Sequence, residues 1–133
     1  MRRRLTLTAL CTAGLAIAAL GASTGSAAYS EFQTPSRNIR CAYQSDGGPR
    51  LACFVISSRK QAWLYPSGGE VAPLSGVDLR NARGLGGRII RYGRSWSGGP
   101  FICTSKWSGM DCWDRYTAEA VFLSHQTTYA YQI

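Results

Sequence analysis

Residues able to do acid–base or nucleophilic chemistry are few in this chain, and they are scattered. The 133 residues include one histidine, His125, and seven acidic side chains. Nucleophilic hydrolysis needs a hydroxyl or thiol within reach of a base. His125 stands beside Ser124 at an expected strand end, where neighbouring side chains point to opposite faces. Ser57-Ser-Arg-Lys60 has the Ser-x-x-Lys form but lacks the helical setting and companion elements that give that form meaning. Asp111, Asp114 and Glu119 are the only clustered carboxylates. A strand would send Asp111 and Asp114 to opposite faces, which does not suit a glycosidase pair. Gly84-Leu-Gly86-Gly87 has no strand-to-helix context, so it is no dinucleotide fingerprint. No catalytic residue and no cofactor is expected, and the poverty of acid–base groups favours a binding or structural module over an exported hydrolase.

Sulfur and guanidinium chemistry are better represented. Phe101 to Trp113 reads Phe-Ile-Cys-Thr-Ser-Lys-Trp-Ser-Gly-Met-Asp-Cys-Trp. If Lys106 to Gly109 is a hairpin loop with positive φ at Gly109, then Ser105 faces Met110, Thr104 faces Asp111 and Cys103 faces Cys112. Opposed cysteines can close a disulfide. A second hairpin follows from placing Cys41 opposite Cys53, with Ser45 to Pro49 as its loop. One face then holds Ile39, Cys41, Tyr43, Leu51, Cys53 and Val55, and the other carries Arg40, Gln44 and Arg50, the alternation of a half-buried antiparallel pair. Four cysteines allow three connectivities, and the two local pairings are expected because each has a turn signal midway. The spacings lack the close cysteine pairs of zinc ribbons, so no metal is expected.

Arginine is the other resource. Beyond residue 28 there are ten arginines to two lysines. Arginine's planar fork suits bidentate contact with phosphate or carboxylate and stacks on aromatic rings. Arg80, Arg83, Arg88, Arg91 and Arg94 stand among Gly84, Gly86 and Gly87 and beside Tyr92 and Trp96. The glycines argue against a basic helix. Arg88, Arg91, Tyr92, Arg94 and Trp96 are therefore candidates for contact with an anionic partner, the bland reading being a solvated basic face. Trp107, at the expected hairpin tip, is the best single contact candidate; Trp63, Trp96 and Trp113 read as core.

The elements that must position these groups are short. Residues 1–28 read as a secretory signal: Arg2 to Arg4, an apolar run from Leu5 to Leu20 too short to span comfortably, and a small-residue ending at Ser26-Ala27-Ala28. Its Cys11 is not placed as a lipid-attachment site. The remaining 105 residues (133 − 28) carry twelve basic and seven acidic side chains, a net +5, and four cysteines. Such a chain makes one domain with a modest core that disulfides support. Glu31 to Thr34 reads as a strand stopped by Pro35 to Asn38. Between Ser57 and Gly87, Pro66, Gly68, Gly69, Pro73 and Gly76 predict turns and loop around a short strand at Trp63 to Tyr65. Ala118 to Leu123 and Thr128 to Ile133 read as closing strands, with no sustained helical period anywhere.

Phe32-Gln-Thr-Pro-Ser-Arg-Asn-Ile-Arg-Cys41, Leu51-Ala-Cys53, Ile90-Arg-Tyr-Gly-Arg-Ser-Trp96, Phe101-Ile-Cys103-Thr-Ser105, Gly109-Met-Asp-Cys112 and Phe122-Leu-Ser124 together resemble a domain-of-unknown-function family of small exported bacterial proteins. That family opens with Ser/Thr-Pro-Ser-Gly-Asn-Ile-x-Cys and closes with Gly-His-Gly-Phe-x-Leu-Ser-Arg. The resemblance implies a compact disulfide-linked exported domain and no established activity. Arg37 stands where the family has glycine, and Ala118-Glu119-Ala120-Val121 where Gly-His-Gly-Phe would align. Glu119 cannot reproduce the neutral-pH proton chemistry of a histidine at that position without a strongly raised pKa.

The expectation is an all-β domain over residues 29–133, a small compact sandwich or partly open barrel of about six to eight short antiparallel strands with two disulfide-linked hairpins. It would be secreted or lie at the extracytoplasmic cell surface, without a stable membrane span once the signal is removed. Its partner would be an anionic envelope polymer or another exported protein rather than nucleic acid. Oligomeric state is not legible in the chain.

Overall fold

The computed structural model describes residues 28–133. The signal read over residues 1–28 lies, apart from Ala28, outside the described residues. Eleven strands and one helix follow in order: β1 Tyr29–Gln33, β2 Ile39–Gln44, β3 Arg50–Val55, β4 Lys60–Tyr65, β5 Gly68–Pro73, α1 Gly76–Gly84, β6 Arg88–Ile89, β7 Ser95–Gly98, β8 Phe101–Lys106, β9 Gly109–Asp114, β10 Glu119–Leu123 and β11 Thr128–Gln132. They make two sheets, one in the order β5-β4-β3-β2-β1-β6 and one in the order β11-β10-β9-β8-β7. The result is a sandwich rather than a closed barrel.

Strand alternation decides what lies between the sheets. In β2 and β3, Cys41 pairs with Cys53, Tyr43 with Leu51 and Ile39 with Val55, and all six side chains are buried. In β8 and β9, Cys103 pairs with Cys112 and Ser105 with Met110, again buried. Both expected disulfides are present, Cys41–Cys53 and Cys103–Cys112. Each ties a hairpin within its own sheet, and both belong to the apolar cluster that the sheets share. Gly109 has φ +147°, and a Cβ there would run into the carbonyl of Leu123 on the neighbouring β10.

Three expectations are corrected. The antiparallel count was too low, and β6 pairs with β1 in parallel. The segment read as turns around Pro66 to Pro73 holds a full strand, β5, which pairs with β4 from Lys60↔Pro73 to Tyr65↔Gly68. Glycine suits β5 because the two sheets meet along this edge, and a Cβ at Gly69 would crowd Val121 and Ala130.

The third correction is the nine-residue helix α1. The Ser75 side chain accepts from Asp78 N–H at 3.1 Å, the usual N-cap arrangement. Its buried residues are Leu79 and Ala82. Two buried positions in nine residues leave too little period for a sequence reading to find. Arg40, on the outer face of β2, donates to the Arg83 and Leu85 carbonyls. It satisfies acceptors that the helix end leaves open and sets a positive charge at the negative end of the helix dipole. Ala42 and Ala52 point outward from the sheet yet are buried, because α1 lies over them.

Candidate functional site

One end of the sandwich is built from four connections: the β1–β2 turn, the Ile90–Arg94 link, the β8–β9 turn and the β10–β11 turn. The turns are held from within. Thr34 N–H donates to the Ile39 carbonyl at 3.0 Å, and Ser124 Oγ donates to the Thr127 carbonyl at 3.0 Å. Gly93 N–H donates to Ser105 O at 2.7 Å and Ser105 N–H to Arg94 O at 2.9 Å, which prolongs the β7–β8 ladder and fixes Tyr92 beside the β8–β9 tip. Tyr92 and Trp107 stack there with ring centroids 4.0 Å apart and planes 25° from parallel. Trp107 is nonetheless 86% exposed, so its outer face is open. Beneath it lies a polar cleft of about 170 Å³ bordered by Thr34, Ser36, Asn38 and His125.

Arginines stand close to this aromatic pair along the chain, Arg91 and Arg94 on either side of Tyr92 and Arg88 on β6. Arg88, Arg91 and Arg94 are exposed, and none forms an ion pair among the described residues; the ion pair found there is Lys106 Nζ to Asp111 Oδ2 at 3.3 Å. Unpaired guanidinium groups beside an open indole can take an anion and a ring together. The five arginines do not form one surface, however. Arg80 and Arg83 lie on α1, against the expectation that the glycines exclude a basic helix. Trp96 is not a surface contact residue: it is 6% exposed and stacks on Phe32 in the core, with centroids 4.2 Å apart. Trp63 and Trp113, read as core, are half-buried. They alternate with the inward-facing Ala62, Leu64 and Cys112, a signal already present in the strand period.

The acid–base groups are kept apart. Glu119 begins β10 and His125 follows its end, so no site gathers them; Glu119 Oε1 accepts from Gln132 Nε2 at 2.5 Å. Asp111 lies on the outer face of its sheet, where its Oδ1 accepts from Tyr131 Oη at 2.5 Å. Burial, then that hydrogen bond and the nearby carboxylate charge, push the Tyr131 hydroxyl well above the usual tyrosine range. Asp114 is buried, and its Oδ1 accepts from the Tyr116 and Thr117 backbone N–H groups. Sequence reasoning missed one juxtaposition: Ser57 Oγ lies 2.6 Å from His125 Nδ1 across 68 positions. Nothing local in either segment marks that pairing. Among the described residues no cluster of His, Cys, Asp and Glu could hold a metal ion, and no helix is long and apolar enough to cross a membrane.

Fold and site define a two-sheet, disulfide-braced β sandwich with an aromatic-rimmed polar cleft at one end. No family model, curated protein or solved structure matches the chain. The two disulfides are compatible with an extracytoplasmic setting.

Proposed function

We propose that the protein is an exported, non-catalytic binding module that contacts an anionic envelope polymer through the cleft end of the sandwich. The observation that carries this reading is the Tyr92–Trp107 stack, open on its outer face, with Tyr92 set in the chain between the exposed Arg91 and Arg94, neither of which forms an ion pair among the described residues. An indole beside guanidinium groups offers stacking to a sugar ring and charge-assisted hydrogen bonds to its acid group. Export, like the resemblance to a family of small secreted proteins, belongs to this proposal.

The test is binding to a carboxylated polysaccharide, with a neutral glucan as control. Affinity should fall as salt rises, since exposed charges about 10 Å apart are largely screened at 0.1 M. Arg91→Gln with Arg94→Gln, or Trp107→Ala alone, should weaken binding about fivefold or more, as expected for a contact worth about 1 kcal/mol. Arg80→Gln with Arg83→Gln removes equal charge from α1 and is the control; Arg40 and Arg50 would be poor controls because both brace the fold. Equal losses from both pairs, or indifference to salt, would reject the located site.

A second reading, a small exported hydrolase acting on envelope polysaccharide or peptide, is favoured by the Ser57–His125 contact. Among the described residues no carboxylate hydrogen-bonds that histidine, and both residues are exposed. Turnover of a polymer or ester lost on both Ser57→Ala and His125→Ala would establish it.

A further inference from the structure

A slot lies between α1 and the outer face of the six-stranded sheet, at the end away from the cleft. Its floor is the cross-strand pair Ala42↔Ala52, two methyl groups where larger side chains would fill the space. Phe54 and Trp63 wall it, while Ala82 and Leu85 from α1 and its C-cap roof it; the cavity measures about 170 Å³. A dry cavity of about 150 Å³ accepts benzene, so the space matches one aromatic ring with a short substituent. Arg50 is the one charged residue among those lining it. Its guanidinium is held by Gln44 Oε1 at 2.5 Å and by the Asp46 carbonyl. Arginine has five N–H donors, so these two contacts leave others unused. It makes no ion pair among the described residues.

We propose that this slot binds a small amphipathic anion, a single ring or equally compact hydrocarbon body carrying a carboxylate. The ring lies on the alanine floor against Trp63 and Phe54. Its carboxylate meets Arg50 at the mouth, where charge complementarity selects an acid over a neutral analogue. The occupant follows from size and charge together: the alanine pair admits something flat, and a lone braced guanidinium without an acidic partner admits an anion. This site shares no lining residue with the Trp107 cleft, so either can fail without the other.

The experiment is an NMR titration of the folded protein with phenylacetate, and with phenylacetamide as the neutral counterpart. Phenylacetate should shift the Ala42 and Ala52 methyl signals and the Trp63 indole N–H, and should bind about tenfold or more tightly than the amide, the worth of a hydrogen bond to a charged group. Arg50→Gln should erase that preference, lowering the acid's affinity about tenfold more than the amide's. Ala52→Leu should abolish binding of both. If Ala52→Leu fails to fold, Asn81→Trp, at the exposed rim, should block entry without touching the floor. Any of three results would overturn the proposal: no shifts at tens of millimolar probe, shifts confined to Tyr92 and Trp107, or equal weakening of acid and amide by Arg50→Gln.

Discussion

Arg37, Arg59 and Ala118 hold φ of 60°, 53° and 64°, a left-handed conformation that costs a residue with a Cβ about 1 kcal/mol or more. Ala118→Gly removes only a methyl, so it should raise the unfolding free energy by about 0.5–1 kcal/mol in denaturant titrations, net of the extra freedom glycine gives the unfolded chain; a loss would mean that the methyl is needed for packing. Tyr131 acts through titration instead. Burial and the Asp111 bond keep its hydroxyl protonated in the folded state to higher pH than in the unfolded chain. The stability it contributes is therefore full below about pH 10, the unfolded tyrosine value, and is lost as pH rises above it. Unfolding measured across that range should show a shallower decline in Tyr131→Phe, although not a flat one, because burial and Glu31 also raise Tyr29. At this scale the chain was legible where alternation operates, as in the six buried side chains of the first hairpin. It was opaque where two distant turns converge, as for Ser57 and His125, since their contact depends on how the sheets are placed.

Among elements, the hairpins were readable because each has polar turn residues midway between two alternating runs. α1 and β5 were not, for opposite reasons. α1 has too few buried positions to show a period, and β5 carries its glycines for close approach between sheets rather than for turning. What secures α1 is a side chain from elsewhere: Arg40 reaches across from β2 to the helix's last carbonyls. Arg40→Ala should cost about 1–3 kcal/mol by leaving those acceptors to water, and amide exchange should accelerate over residues 76–85 more than in β2 itself. Uniform acceleration would show that the arginine supports the sheet rather than the helix. Loosening of α1 would also unroof the alanine slot, so this variant should weaken phenylacetate binding even with Arg50 intact.

For the molecule as a whole, the disulfides close loops spanning 12 and 9 positions, and loop-closure entropy assigns each about 3 kcal/mol. Cys103→Ala with Cys112→Ala should destabilise by about that much in thermal or denaturant unfolding, and removing both bridges should approach the whole stability of a domain this size. A cost near zero would mean that the unfolded hairpins are already constrained without the bonds. Both pairings were foreseeable because they are local; how the two sheets would be joined was not. Neither disulfide crosses from one sheet to the other, and all four bridging cysteines are 0% exposed within the shared core. A reducing agent therefore finds neither bridge on the native surface and must wait for the sheets to part. When they do, both bridges become accessible in the same event. At high reductant the appearance of thiols should follow a single rate that no longer depends on reductant concentration, with the one-bridge species never accumulating. The buried sulfurs thus act as a clock for the opening of the sandwich.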